Sequence, residues 1–270
     1  MSYVTIKIVS LFKKDILSMK FFSRYFLLTY EINNMNKISI FLTLLVSLSF
    51  SQLGMAQGFG MKFDIVASNP AGVVAAMDKF SESQTAQAAP GNVTLYQYLV
   101  NGENPATHAF VVNYPTAEAM DATNARNAMS QDWATFLTEL NMVSQQAGTM
   151  MFRTLGLSRG DSASITSPNA AGNWYFMSVS DPEEYADAWQ ELVADGNDLP
   201  GHFETLIEVV ADGTGGITHA VIRSANTMAT MLNNPAQANR GWDDFIDEVE
   251  DIRTIENRVM TIRLKQWGAN

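Results

Sequence analysis

The tripeptide Thr107-His108-Ala109 returns as Thr218-His219-Ala220, 111 positions later. Trp133, Phe136, Leu137, Leu140 and Val143 return as Trp242, Phe245, Ile246, Val249 and Ile252, each at an offset of 109. The Asn69-Pro70 helix start returns as Asp181-Pro182 at an offset of 112. A chain that repeats itself at this spacing is expected to fold as two like units of roughly 95–110 residues, which is the size of a small domain. The expected divisions are 57–156 for the first unit, 157–172 for a linker rich in Ser, Gly and Asn, and 173–270 for the second.

Each unit reads as strand, helix, strand, strand, helix, strand. In the second, the apolar run Trp174–Val179 is followed by Asp181-Pro182-Glu183-Glu184. An acidic cap, a proline at the first helical position and acids in the first turn all favour a helix start. Tyr185, Trp189 and Leu192 then fall on one helical face. The first unit does the same with Phe63–Ala67, Asn69-Pro70, and Val73, Met77 and Phe80. Hairpin strands Val93–Val100 and Phe203–Val210 return as Thr107–Asn113 and Thr218–Arg223, and Gly102 and Gly213 sit in matching turns. A tryptophan-bearing helix and the strands Met150–Leu155 and Val259–Leu264 close the units.

Residues upstream of these units read as an address. Ile38–Phe50 is a 13-residue apolar run after Lys37 and before Gly54-Met55-Ala56, which is the pattern of a secretory signal. It is short for a membrane span, which needs about 20 residues. Residues 35–56 are therefore expected to be a signal peptide cut after Ala56, with 1–34 an over-extended start or an N-terminal extension. The alternative is an anchor with Phe21–Tyr30 lying on the membrane. A periplasmic or secreted location follows, with no stable span after cleavage. No cysteine occurs in the sequence, so export would proceed without disulfides and without a lipid-modified cysteine. Removing the leader leaves 11 basic and 26 acidic side chains, a net charge of −15. Such a surface repels nucleic acid and anionic membranes. Only Lys62, Lys79 and Lys265 remain among the lysines.

The βαββαβ order is the ferredoxin-like arrangement, two helices on one face of a four-stranded antiparallel sheet. Two such units in one chain can cover each other's sheets. The span from about Met61 to Trp267 resembles the dimeric α+β-barrel superfamily, which includes the antibiotic-biosynthesis-monooxygenase-like proteins. The resemblance implies an α+β fold with the two sheets facing each other as a pseudo-dimeric barrel, helices outside, and a monomer with an internal pseudo-dimer. It also brings in cofactor-independent oxygenation and haem binding as activities known in that superfamily, with His108 or His219 as base or axial ligand.

The residues themselves single out the histidines. Alternation puts His108, Phe110 and Val112 on one strand face, and His219, Val221 and Arg223 on the equivalent one. Arg223 argues against a helix-packed face, so both histidines are expected to point into the barrel interior or its mouth. Tyr96, Tyr98, Phe110, Val221 and Arg223 are the expected neighbours in a ligand site. The structural alternative is a pair of buried histidines hydrogen-bonded to adjacent strands. His202 has no counterpart in the first unit, follows Pro200-Gly201 and reads as a loop or strand-edge residue. No metal site is expected, because neither repeated histidine has a second ligand at close spacing. Asp195-Gly196-Asn197-Asp198 resembles the start of a calcium loop but lacks the rest of the pattern. The acids between Asp243 and Glu256 fall outside the apolar helical positions, as on a solvated face. Trp133 and Trp242 are expected as buried core anchors. Gly-x-Ser-x-Gly, Gly-rich phosphate-loop and HExxH motifs are absent from the sequence. The leading expectation is non-catalytic binding of a small, partly apolar ligand or of a protein partner, without a cofactor. The alternatives are the oxygenase or haem protein and a structural envelope protein.

Overall fold

A computed structural model describes residues 58–195, 199–233 and 241–268. The expected signal and N-terminal extension, and Gly196–Asp198 of the calcium-like segment, lie outside the described residues.

The first half runs β1 (Phe59–Ala67), α1 (Pro70–Ser81), α2 (Gln84–Gln87), β2 (Asn92–Val100), β3 (His108–Tyr114), α3 (Ala117–Ala128), α4 (Gln131–Val143) and β4 (Ser144–Gly160). The second runs β5 (Ala171–Val179), α5 (Pro182–Asp195), β6 (His202–Ala211), β7 (His219–Ala225), α6 (Met228–Asn233), α7 (Trp242–Val249) and β8 (Arg253–Gly268). The predicted helix starts form as read. The Asn69 side chain accepts from the Gly72 amide at 3.1 Å, and Asp181 Oδ1 accepts from the Glu184 amide at 3.1 Å, each relieving an orphan donor of the first turn.

Strand order is β4-β1-β3-β2 in one half and β8-β5-β7-β6 in the other, and β2–β8 and β4–β6 pairing closes all eight into a barrel. Both units are thus ferredoxin-like, and their sheets face each other. The closure rests on two long strands. Ser144–Arg153 of β4 pairs with β1, while Met151–Gly160 pairs with β6. Arg253–Ile262 of β8 pairs with β5, while Met260–Gly268 pairs with β2. The β4 register shifts between Thr154 and Ser158, where Gly156 supplies a φ of 73°. The segment expected as a linker is therefore strand at both ends: Leu157–Gly160 belongs to β4, and Ala171-Gly172 to β5.

Three apolar layers result. Val111, Met150, Phe152, Trp174, Phe176 and Ile207, drawn from both halves, fill the barrel. Phe110 packs with Val73, Met77, Phe80 and Phe136 beneath the first-half helices. Val221 packs with Tyr185, Trp189 and Phe245 beneath the second-half helices. This reverses the expected facing of β3 and β7. The small Thr/Ala/Val/Ile face points into the barrel, and the histidine face points to the helices. An eight-stranded barrel has an interior just wide enough for side chains to fill, so the small residues are needed there.

Candidate functional site

Between each sheet and its own helices lies a cavity. In the first half it measures about 270 Å³ and is lined by Phe63, Phe80, Phe110, Trp133, Phe136 and Trp267, among others, with an asparagine-rich rim. At that rim Asn113 donates to Asn92 Oδ1 at 3.0 Å. In the second half the cavity measures about 630 Å³ and lies over Asn173, Tyr175, Glu204 and Arg223, under Trp189 and Trp242.

The two cavities are built from corresponding positions. Phe63, Ile65 and Met77 become Tyr175, Met177 and Trp189 at an offset of 112; Trp133, Phe136 and Leu137 become Trp242, Phe245 and Ile246 at 109. Phe110 becomes the smaller Val221, which helps open the second cavity. Their floors differ in kind. One cross-strand row of the first half reads Met61–Val112–Val93–Trp267. The matching row of the second reads Asn173–Arg223–Glu204–Arg159. Every member has changed from apolar to polar or charged.

This row is buried: Arg159, Glu204 and Arg223 are 0%, 2% and 3% exposed. Arg223 Nε lies 3.2 Å from Glu204 Oε1, and Arg159 lies 3.7 Å from Glu204 Oε2. Burial pushes the Glu204 carboxyl above the usual range, against the opposing pull of Arg223 and Arg159. Beside it, Asn173 donates to Tyr175 Oη at 2.8 Å, leaving the phenol proton free to point elsewhere. Arg258 lies 5.1 Å from the centre of the Tyr175 ring, and Arg253 lies 5.7 Å from that of Phe245. Trp189 is 1% exposed, and its indole N–H has no acceptor among the described residues.

The structure distributes the expected site residues over three places. Phe110 lines the first cavity; Val221 and Arg223 line the second. Tyr96 and Tyr98 pack in the barrel interior. His108 and His219 face the helix layers but line neither cavity. Their cross-strand partners Ile65 and Met177 belong to those layers, and the His219 ring lies 5.9 Å from that of Tyr185. Each Nδ1 is tied to the preceding threonine hydroxyl, at 2.8 Å for Thr107 and 3.0 Å for Thr218. The rings thus lie on the helix side of the sheets and are buried, and the partner of each Nδ1 is the preceding threonine rather than a neighbouring strand. Burial lowers the proton affinity of each. His202 is the first residue of β6 and is fully buried, with Nδ1 3.1 Å from the Pro200 carbonyl oxygen.

The barrel interior holds polar chemistry that sequence pattern did not single out. Lys62 and Asp64 are 6% and 7% exposed and lie 2.5 Å apart, and Tyr98 Oη donates to Asp64 Oδ1 at 2.6 Å. Burial lowers the Lys62 amine and raises the Tyr98 phenol, with Asp64 adding to the latter. In the second half the positions of Lys62 and Asp64 are Trp174 and Phe176.

A haem would need an axial donor facing a cavity. Neither repeated histidine does so, and each has one ring nitrogen engaged. Tyr175, the polar candidate on the larger cavity's floor, is held by Asn173 and covered by Arg258. The residues present do not fit a histidine-ligated haem. Among the described residues no group of three or more His, Asp or Glu is placed to hold a metal ion, and no helix is long and apolar enough to cross a membrane.

No family model matches the sequence, and no curated protein matches it. Solved structures do. A candidate monooxygenase from Fusobacterium nucleatum superposes with a TM-score of 0.56 at 12% identity, covering 79% of this chain and 94% of that one. A candidate monooxygenase from Lactobacillus acidophilus gives 0.52 at 11% identity, covering 78% and 96%. An anthrone oxidase-like protein gives 0.50 at 10% identity, covering 79% and 93%. At these identities the likeness shows the fold alone, an α+β barrel of ferredoxin-like units. This chain carries both halves of the barrel within itself.

Proposed function

We propose that the protein binds small, partly apolar molecules in its sheet–helix cavities, chiefly in the larger one of the second half. The observation that carries this reading is the floor row. The first cavity's floor carries Met61, Val112, Val93 and, from β8, Trp267 at these positions, so the architecture does not require charge there. A buried ionic row is poor value for stability compared with apolar packing, so its presence under an open cavity points to a ligand. Val221→Phe restores the side chain that the first half carries at this position. Native mass spectrometry of protein purified from its own host should show a small molecule retained by the parent and lost from Val221→Phe. Retention of the same molecule by both, or by neither, would remove the second cavity as its site.

One observation favours a catalytic alternative, oxygenation of the kind the neighbours' names suggest, here without a cofactor. Glu204 is a buried carboxylate of raised proton affinity on the cavity floor, as a general base requires. Oxygen consumption with phenolic substrates, abolished in Glu204→Gln, would support it. The export reading also stands as a proposal: secreted or periplasmic protein should begin at Gln57 or a close neighbour by N-terminal sequencing.

A further inference from the structure

We infer that the second cavity selects a planar aromatic carboxylate, with Arg253 and Arg258 taking the carboxylate and Trp189, Trp242 and Tyr175 taking the ring. This rests on the reading of the second cavity as a ligand site and goes on to the chemistry of the ligand.

Among the described residues, the charged groups facing the cavity are Arg223, Arg253 and Arg258, and Glu204, Asp243 and Asp247. Glu204 is already held between Arg159 and Arg223. Asp243 and Asp247 are exposed on α7, where water screens them as it screens the exposed Arg258; Arg253 is half-buried. Arg253 and Arg258 form no ion pair with a carboxylate among the described residues; each lies over an aromatic ring instead. Arg126 and Arg263 also lack an ion pair among the described residues, so what marks Arg253 and Arg258 is their place beside one cavity. Their counterparts in the first half are Ser144 and Thr149, at an offset of 109, so these cations are not part of the frame the two halves share.

The neutral groups point the same way. The Trp189 indole can only donate, and it has no acceptor among the described residues. Tyr175 accepts from Asn173 and so has its proton to offer. The Tyr185 hydroxyl, fully buried, stands near Arg253. Donors predominate around the space, and an acceptor-rich anion is the complement. A carboxylate meets a guanidinium with charge-assisted, geometrically specific hydrogen bonds. The flat aromatic walls, with Trp242 and Phe245 rings 5.7 Å apart, suit a ring.

The test compares 2-naphthoate with its neutral isostere 2-naphthamide, by calorimetry on the full chain at pH 7 and low salt. Naphthoate should bind on the order of 10- to 100-fold tighter, the span expected for a hydrogen bond to a charged group. Added salt should narrow the ratio. Arg253→Met should bring it close to unity while leaving naphthamide binding in place, and Arg253→Lys should keep part of it. A thermal melt of each variant checks that the fold survives. Equal binding of both probes by the parent, or an unchanged ratio in Arg253→Met and Arg258→Met alike, overturns the carboxylate inference and leaves the cavity reading standing. Binding of neither probe, or binding untouched by Val221→Phe, overturns the cavity reading as well.

Discussion

Glu204 is the residue on which the second half differs most sharply from the first. It sits where Val93 sits, between two arginines where the first half has Val112 and Trp267. Removing Glu204 alone takes the carboxylate from between two buried arginines, so Glu204→Ala should cost roughly 3–5 kcal/mol of stability. Changing all three together to apolar residues, as in Arg159→Leu/Glu204→Val/Arg223→Val, should cost far less, because a buried ionic cluster and an apolar one of similar volume are often nearly equivalent. Urea unfolding of the two variants checks the ranking, and the triple variant should lose ligand while keeping its fold. The histidines make a separate prediction. Burial lowers the proton affinity of His108, His202 and His219 in the folded state, so the unfolded chain binds more protons once pH falls towards its own histidine pKa of about 6.5. Their contribution is complete above that pH and declines below it. Glu204, whose proton affinity is raised, acts in the opposite sense, so the comparison must be made within one background. The melting temperature should fall from pH 7.5 to 5.5, and the fall should be shallower in His219→Gln. His219→Gln should leave ligand affinity unchanged; a binding defect equal to its stability loss would return the histidine to the site.

At the scale of elements, strand and helix order was legible from the repeat, and facing was not. The helix starts at Pro70 and Pro182 carry their own chemistry in sequence, and both form. The facing of β3 and β7 failed on Arg223. An arginine on a strand normally argues for solvent or a cavity mouth, but here it lies beneath helices because Glu204 neutralises it across the strand. The clue was present in the hairpin: Val93 and Val112 in one unit, Glu204 and Arg223 at the matching positions of the other. Lys62 and Asp64 escaped notice for the converse reason. They alternate with Phe63 and Ile65, as on an amphipathic strand with a wet face, and only barrel closure turns that face inward. The tryptophan helices also need correction. Trp133 and Trp242 are half-buried at the cavities, while Phe136 and Phe245, at 6% and 3% exposure, are the core anchors. Phe80 stacks on Phe136 at 4.8 Å and lies 5.3 Å from Trp133, so the aromatic cluster is organised from beneath. Phe136→Ala and Phe245→Ala should each cost about 3–5 kcal/mol. Trp133→Ala and Trp242→Ala should cost clearly less, since part of each ring is already in solvent or cavity. Chemical denaturation of the four variants would expose an error if the tryptophans ranked first.

For the molecule as a whole, closure and divergence act together. All eight described strands have two neighbours, so among the described residues the barrel leaves no open sheet edge. The interior is matched across the halves. Lys62 of the first lies 5.6 Å from the Phe176 ring of the second, and Tyr96 meets Trp174 edge-on at 5.3 Å. Two first halves brought face to face would bury two Lys62–Asp64 pairs against each other, at a heavy desolvation cost. Two second halves would oppose Trp174 and Phe176 with copies of themselves and overfill a space that the structure shows packed with smaller partners. Each unit alone would also leave the far end of its long strand unpaired, Met151–Gly160 or Met260–Gly268. The repeat therefore no longer codes for two interchangeable units. If residues 57–164 and 165–270 are produced as separate chains in one cell, they should assemble as a one-to-one pair. Native mass spectrometry should show that heterodimer in large excess over either homodimer, and each half expressed alone should be insoluble or partly unfolded. Lys62→Leu/Asp64→Leu in the first half removes the charged obstacle, so it should raise the share of first-half homodimer. Homodimers in statistical proportion from the unaltered halves would mean that the barrel interior does not discriminate, and that the differences at Lys62, Asp64, Trp174 and Phe176 have no bearing on assembly.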